Sequence, residues 1–183
     1  MRNFKRALIT GISGSGGSYL AEYIIKNQTK TKVFGIYRNK TENLTQIIKK
    51  KSNLIRCDLN NFKKVFNSIK KIKPDVIFHL ASNADVKKSF DYPMEIINNN
   101  NNCTLNLLEA VRKAKINPVI QICSTSEVYG IVKKKETPIK ESNPFRPASP
   151  YAVSKAFQDL IAQNYHKNYG LRIIITRMFT YLN

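Results

Sequence analysis

Thr10-Gly11-Ile12-Ser13-Gly14-Ser15-Gly16-Gly17 decides the fold of this chain. It follows the apolar run Ala7-Leu8-Ile9 and precedes Ser18-Tyr19-Leu20-Ala21-Glu22-Tyr23-Ile24-Ile25, whose apolar residues recur at helical spacing. A strand, a glycine turn and a helix in that order make a site for a dinucleotide pyrophosphate, because free N–H groups at the positive helix end face the phosphates. Gly11 permits the tight turn, Gly14 lets backbone approach phosphate, and Gly17 lets the helix pack closely on its strand. A glycine-rich turn without a ligand is the alternative, and residues far downstream weigh against it.

Outward from that turn, periodicity predicts strands near 5–10, 32–37, 53–56, 75–80, 117–123 and 171–177. Helical patterns fall near 17–28, 42–51, 60–72, 92–114 and 150–168. Val76-Ile77-Phe78 and Val119-Ile120-Gln121-Ile122 are near-continuous apolar runs, as strands covered on both faces must be. Strict alternation of strand and helix predicts a parallel, doubly wound α/β sheet with right-handed crossovers. Ser149 reads as the N-cap of the last helix and Pro150 suits its first turn. Asn98 to Asn102, the only low-complexity tract, sits within a helical pattern.

The 183 residues suit one domain with one substantial core. No run of 18 apolar residues exists, and Met1-Arg2-Asn3-Phe4-Lys5-Arg6 leads straight into a strand, so neither a signal peptide nor a membrane span is expected. Cys57, Cys103 and Cys123 are odd in number and lack CxxC spacing, which suggests a reducing cytoplasm rather than disulfides or a zinc site. The net charge of +19 raises nucleic acid as a partner. Scattered lysines, few arginines and an excess of Asn and Ile favour solvated surface instead; Lys49-Lys50-Lys51 is expected at a helix end and Lys133-Lys134-Lys135 in a loop. His79 has only one other histidine in the chain, His166, so a metal site is not expected.

Tyr151 and Lys155 lie four apart on a predicted helix and project from one face. A lysine ammonium near a phenol favours the phenolate, and an oxidised nicotinamide adds further positive charge, so Tyr151 is expected to have a lowered pKa. That makes it a usable acid/base near neutral pH. An incidental pair on a helix surface is the alternative. At the second strand, Phe34-Gly35-Ile36-Tyr37-Arg38-Asn39-Lys40 offers Arg38 and no acid until Glu42, which favours the 2′-phosphate of NADP over the 2′-hydroxyl of NAD. Asp58-Leu59 ends the third strand and fits a pair that contacts adenine; an N-cap role for Asp58 is the bland reading.

The glycine turn with its 3-3 spacing, the YxxxK pair and Ser124-Thr125-Ser126-Glu127-Val128-Tyr129-Gly130 resemble the extended short-chain dehydrogenase/reductases that modify nucleotide sugars. Within that family, Ala7 to Ile12 continuing to Gly17-Ser18-Tyr19-Leu20-Ala21-Glu22, and Val86-Lys87-Lys88-Ser89-Phe90, are most similar to GDP-mannose 4,6-dehydratases. The resemblance runs over nearly the whole chain, but members of the family are much longer. It implies a Rossmann-like NAD(P)-binding domain over 1–183 with the C-terminal substrate region missing. It also implies roles: Thr125 hydrogen-bonds the sugar 4-hydroxyl, Tyr151 removes its proton, Lys155 holds the nicotinamide ribose, and Glu127 takes the C5 proton. Cofactor contacts are implied for Gly11, Ser13, Gly14, Gly17, Arg38, Asp58, Leu59, Leu80, Ala81, Tyr151 and Lys155. The implied reaction is oxidation at C4, loss of water across C5 and C6, and reduction at C6, with the cofactor regenerated in each cycle.

Sugar epimerases and decarboxylases of the same superfamily share much of this pattern, and a solvated loop carboxylate is the bland reading of Glu127. A non-catalytic NADP-binding module, or a basic nucleic-acid binder, needs none of the four catalytic residues together. The chain departs from the family's pattern at Asn39, where a second arginine is usual, at Cys103, where glycine is expected three residues after an asparagine, and at Thr180, where asparagine is common. Asn100 is therefore left outside the expected site. Family members pair through the helices equivalent to 92–114 and 150–168, which implies a homodimer.

Overall fold

In the computed structural model, which describes residues 4–39 and 41–179, six strands form one parallel sheet. The strands are β1 (Arg6–Thr10), β2 (Lys32–Tyr37), β3 (Ser52–Arg56), β4 (Val76–His79), β5 (Val119–Thr125) and β6 (Arg172–Met178). The helices are α1 (Ser15–Asn27), α2 (Gln46–Lys51), α3 (Phe62–Ile72), α4 (Val86–Asp91), α5 (Pro93–Lys113) and α6 (Pro150–Tyr169). The order across the sheet is β3-β2-β1-β4-β5-β6, a Rossmann-like doubly wound arrangement. The strand order reverses between β1 and β4, and ligands in such sheets sit beyond the carboxyl ends of the strands at that point.

One buried cluster packs Leu8, Ile77, Ile120 and Ile122 against Leu107, Leu108 and Val111 of α5 and Ala162 and Tyr165 of α6. A second packs Ala7, Ile9, Val33 and Val76 against Ala21, Ile24 and Ile25 of α1 and Ile48 of α2, and a small third gathers Val128, Tyr129 and Ala156. Alternate residues of each central strand thus enter opposite faces, which is why these strands read as continuous apolar runs. Among the described residues no helix is long and apolar enough to cross a membrane.

Two elements differ from expectation. The helix expected from residue 42 begins at Gln46, because Thr41 Oγ1 and Asn43 Nδ2 bind the Ser13 carbonyl (2.6 and 3.3 Å) and hold 41–45 against the glycine turn. A short helix, α4, precedes the long one; the Asp85 side chain caps it by accepting from the Lys88 amide (2.9 Å). Pro93 then starts α5 afresh, since a proline has no N–H to continue the preceding helix. The Ser149 side chain caps α6, accepting from the Ala152 amide at 3.0 Å, with Pro150 in the first turn as expected.

Candidate active site

The glycine turn is built by close backbone contacts. Gly11 has φ +72°, and a Cβ there would stand 2.8 Å from backbone atoms of Ala81, beyond the end of β4. The Gly11 and Ile12 amides both donate to the Ile36 carbonyl (2.9 and 3.2 Å), pinning the turn to β2. A Cβ on Gly17 would collide with the Gly11 carbonyl oxygen and with Ile12 Cα, so α1 approaches β1 as only glycine permits. Gly14 is the N-cap of α1 and supplies no side-chain cap, and the helix has no acidic residue in its first turn. The first-turn amides therefore have no intrahelical acceptor and no competing carboxylate.

A cleft of about 480 Å³ opens beside this turn, at the carboxyl ends of β1 to β4. Of the residues expected to touch a cofactor, Gly11, Ser13, Gly14, Arg38, Asp58, Leu59, Leu80 and Ala81 line it; Gly17 lies behind, at the packing contact, and Tyr151 and Lys155 are not among its lining residues. Arg38 donates from Nη1 to Asn99 Oδ1 (3.2 Å) and makes no ion pair among the described residues. Asp58 is not the cap of α3. That position belongs to Asn61, whose side chain accepts from the Lys64 amide (3.0 Å), while Asp58 Oδ1 accepts from the Asn60 amide and side chain (2.9 and 3.1 Å). The Ser82 hydroxyl, on the cleft wall, is buried without a partner among the described residues. A glycine turn packed as closely as only glycine permits, uncommitted helix amides and an orphaned hydroxyl together fit a nicotinamide dinucleotide.

Beyond the end of β5, Thr125 leads into a single 3-10 turn, Ser126–Tyr129, in which the Glu127 amide donates to Thr125 Oγ1 (3.3 Å). Gly130 closes the turn with φ +58°, where a Cβ would strike the Arg146 carbonyl. Tyr151 and Lys155, on the first turns of α6, meet this segment. Lys155 is 4% exposed and donates from Nζ to the Cys123 carbonyl at 2.8 Å. Burial holds its ammonium down at about 8.

The Tyr151 phenol does not follow expectation. Burial pushes it up to about 12, the Glu127 carboxylate and Cys123 add to the rise, and a hydrogen bond with Thr125 works against it. Lys155 does not lower it here, because its ammonium is turned to the Cys123 carbonyl and stands 5.9 Å from the centre of the tyrosine ring. In the protein alone, desolvation leads and a neighbouring anion adds to it.

Two buried polar pairings underlie the site. His79 bonds Thr10 through Nδ1 (2.8 Å) and Thr104 through Nε2 (2.9 Å), and burial first, with the Lys155 charge second, holds its imidazole down to about 3. Asn100, set aside from the sequence, is fully buried. Its Oδ1 accepts from the Asn83 amide (2.7 Å), and its Nδ2 donates to the Asn83 carbonyl (3.1 Å) and Ser154 Oγ (2.9 Å). It thus ties the loop after β4 to the helix that carries Tyr151 and Lys155. Ile96, Asn100, Cys103 and Leu107 are all buried on α5 at spacings of four, three and four, a helical stripe that could have marked Asn100 as inward-facing. Thr180 lies outside the described residues.

A family model described as GDP-mannose 4,6 dehydratase matches residues 8–182. GDP-mannose 4,6-dehydratase of Vibrio cholerae is 35% identical over 179 residues, which cover 91% of this chain and 47% of that protein. The solved structure of dTDP-glucose 4,6-dehydratase from Streptomyces venezuelae, with NAD bound, superposes with a TM-score of 0.82 at 26% identity, covering 94% of this chain and 55% of the other. UDP-glucose 4-epimerase from Thermus thermophilus, also in complex with NAD, gives a TM-score of 0.81 at 30% identity, covering 94% of this chain and 54% of its own. The chain spans about half the length of the curated relatives it matches. The family match begins inside β1 and runs through β6, across every element that shapes the cleft, and the chain belongs to the GDP-mannose 4,6 dehydratase family.

Proposed function

We propose that residues 1–183 act as the NADP-binding domain and catalytic helix of a nucleotide-sugar 4,6-dehydratase that takes GDP-mannose to its 4-keto-6-deoxy derivative. The observation that carries this reading is the placement of Glu127 one short turn beyond Thr125, close enough for its charge to raise the Tyr151 phenol. A base for the 4-hydroxyl and a separate carboxylate for a carbon acid then stand near each other, whereas inversion at C4 needs only the first.

When bound, the dinucleotide supplies a two-electron acceptor for C4 that is restored at C6, and a positive ring that favours the Tyr151 phenolate. Thr125 hydrogen-bonds the sugar 4-hydroxyl and Tyr151 removes its proton. Lys155 spends one of its three N–H donors on the Cys123 carbonyl and has two left for the nicotinamide ribose. Glu127 takes the C5 proton, which an adjacent 4-keto group makes acidic enough for a carboxylate, so elimination follows oxidation. Arg38, lining the cleft with no acid at the end of β2, supports NADP over NAD. Asp58 and Leu59 serve the adenine end, and Ser13, Leu80 and Ala81 the phosphates and ribose.

The same reading places the protein in the cytoplasm, in keeping with three free cysteines, and as a homodimer through α5 and α6. Val153 and Leu160, seven apart on α6 and exposed at 43% and 57%, support that pairing. The likeness to UDP-glucose 4-epimerase supports a second reading, inversion at C4 without loss of water.

The test is incubation with GDP-mannose and NADP, reading the product by mass and by its keto group. Product lighter by one water supports dehydration, and an unchanged mass with an inverted sugar supports the epimerase. Glu127→Gln is expected to allow oxidation at C4 while stopping water loss. An unaltered 4-keto-6-deoxy yield from that variant would remove Glu127 from its role.

A further inference from the structure

The asparagine tract of α5 holds more order than its composition suggests. Asn99 lines the cleft, and its Oδ1 accepts from Arg38 Nη1 at 3.2 Å and from Asn60 Nδ2 at 3.3 Å. A carbonyl oxygen has two lone pairs, and both are used. Its Nδ2 donates to Asn100 Oδ1 at 3.2 Å, which fixes the amide's direction. Asn100 is itself held by Asn83 and Ser154, and Asn60 by Asp58 Oδ1 at 3.1 Å. Arg38 is therefore the end of a hydrogen-bonded rail that starts at the catalytic helix and crosses the cleft floor.

We propose that Asn99 is a specificity-determining positioning residue, which holds Arg38 where its remaining donors meet a phosphomonoester on the adenosine ribose. The proposal rests on the NADP reading above and adds the residue through which Arg38 achieves it. An exposed arginine has a large store of rotamer freedom, and a ligand that must order it binds correspondingly less well. One neutral acceptor on Nη1 removes much of that freedom before the ligand arrives and leaves Nε and Nη2 free of acceptors among the described residues. Neutrality matters as much as geometry. A carboxylate at position 99 would pair with the guanidinium and cancel the charge the phosphate needs, whereas an amide orients without neutralising.

The test uses the 183-residue chain and two probes that lack nicotinamide, adenosine 2′,5′-bisphosphate and AMP, with affinities read by calorimetry. The unaltered chain is expected to prefer the bisphosphate by about tenfold or more, since a charge-assisted bidentate contact carries that much discrimination. Asn99→Leu is expected to cut that preference about fivefold while leaving AMP affinity within about twofold. Asn99→Asp is expected to cut it at least as far, and Arg38→Ala to abolish it. If Arg38→Ala loses the preference while Asn99→Leu or Asn99→Asp keeps it, Asn99 has no such role and the NADP reading stands. If Asn99→Leu weakens both probes equally, the residue is merely structural and the proposal is overturned. If the unaltered chain shows no preference, the NADP reading falls and takes the role of Asn99 with it.

Discussion

At the scale of single residues, Gly14 and Gly17 look alike in the sequence and differ in what a methyl group would meet. A Cβ on Gly14 would lie 3.3 Å from the Gly11 carbonyl oxygen, a distance relieved by a few tenths of an ångström of movement. A Cβ on Gly17 would overlap that same oxygen and also stand 2.8 Å from Ile12 Cα, and neither atom can move without shifting the turn. Gly17→Ala is expected to weaken dinucleotide binding at least about tenfold and to destabilise the fold by about 1–3 kcal/mol, the range for overpacking. Gly14→Ala should weaken binding less and leave stability within about 1 kcal/mol. Calorimetry and urea unfolding on both variants check this, and equal losses would mean the tight contact at Gly17 does not govern the cradle. These glycines were legible in the sequence because their requirement is local, set by neighbours three to six residues away. Asn100 was not, because its partners Asn83 and Ser154 are 17 and 54 residues distant and its own tract reads as low complexity. The Tyr151 pKa failed for a related reason: helix spacing places Lys155 on the same face, but only the fold shows its ammonium turned to the Cys123 carbonyl.

At the scale of elements, the segment that carries Glu127 has little regular structure and is held by two arginines. Arg146 grips Glu136 with two bonds (2.8 and 2.7 Å), and its amide donates to the Val128 carbonyl (2.9 Å). Arg177, near the end of β6, donates to both oxygens of Asp159 on α6 (2.7 and 3.1 Å), to the Tyr129 hydroxyl (2.7 Å) and to the Glu141 carbonyl (2.9 Å). It lies 4.8 Å from the centre of the Phe145 ring and 5.3 Å from that of Tyr129. One guanidinium thus joins β6, α6 and the turn bearing Glu127. The Asp159 side chain is 0% exposed, so Arg177→Met leaves a buried carboxylate without its countercharge. That loss is expected to be about 3–5 kcal/mol, and Arg177→Met with Asp159→Leu should recover most of it, because removing both charges removes the desolvation penalty as well. Urea midpoints for the single and double variants decide it; a double variant no better than the single would show that Arg177 acts through Tyr129 and Glu141 rather than through the ion pair. Sequence alone gave the elements at either end of this clamp but not the clamp, since a strand arginine and a helix aspartate carry no mutual signal until the crossover brings them together.

At the scale of the whole molecule, the response to pH sets a buried histidine against the net charge of +19. His79 is held down to about 3 in the fold, against about 6.5 when exposed. A lowered pKa contributes stability that is complete above the unfolded value and is lost as pH falls through the folded one, so the acid loss runs from about pH 6.5 toward 3. Glu109 and Glu136, both held near 2 by arginine partners, act in the same direction from about 4.5 downward, but they lie near the surface and contribute little. On the alkaline side, Cys103, Tyr151 and Tyr165 are each raised to about 12, so their stability is present below their unfolded values and lost as pH climbs from about 9 to 12. Lys155, held at about 8, opposes this between about pH 8 and 10.5, where the unfolded chain binds the extra proton. The maximum is therefore expected between about pH 9 and 10, after Lys155 has begun to contribute and before the tyrosines pass their unfolded values. Self-repulsion among the lysines also deepens the acid loss as carboxylates neutralise, but salt screens that term and leaves a buried imidazole almost untouched. Urea unfolding across this range at low and high salt separates the two. His79→Gln, which keeps an acceptor and donors for Thr10 and Thr104 but does not titrate, should flatten the limb between about pH 6.5 and 4 at both salt levels. If high salt alone flattens it and His79→Gln does not, long-range repulsion governs the acid response and the buried histidine does not.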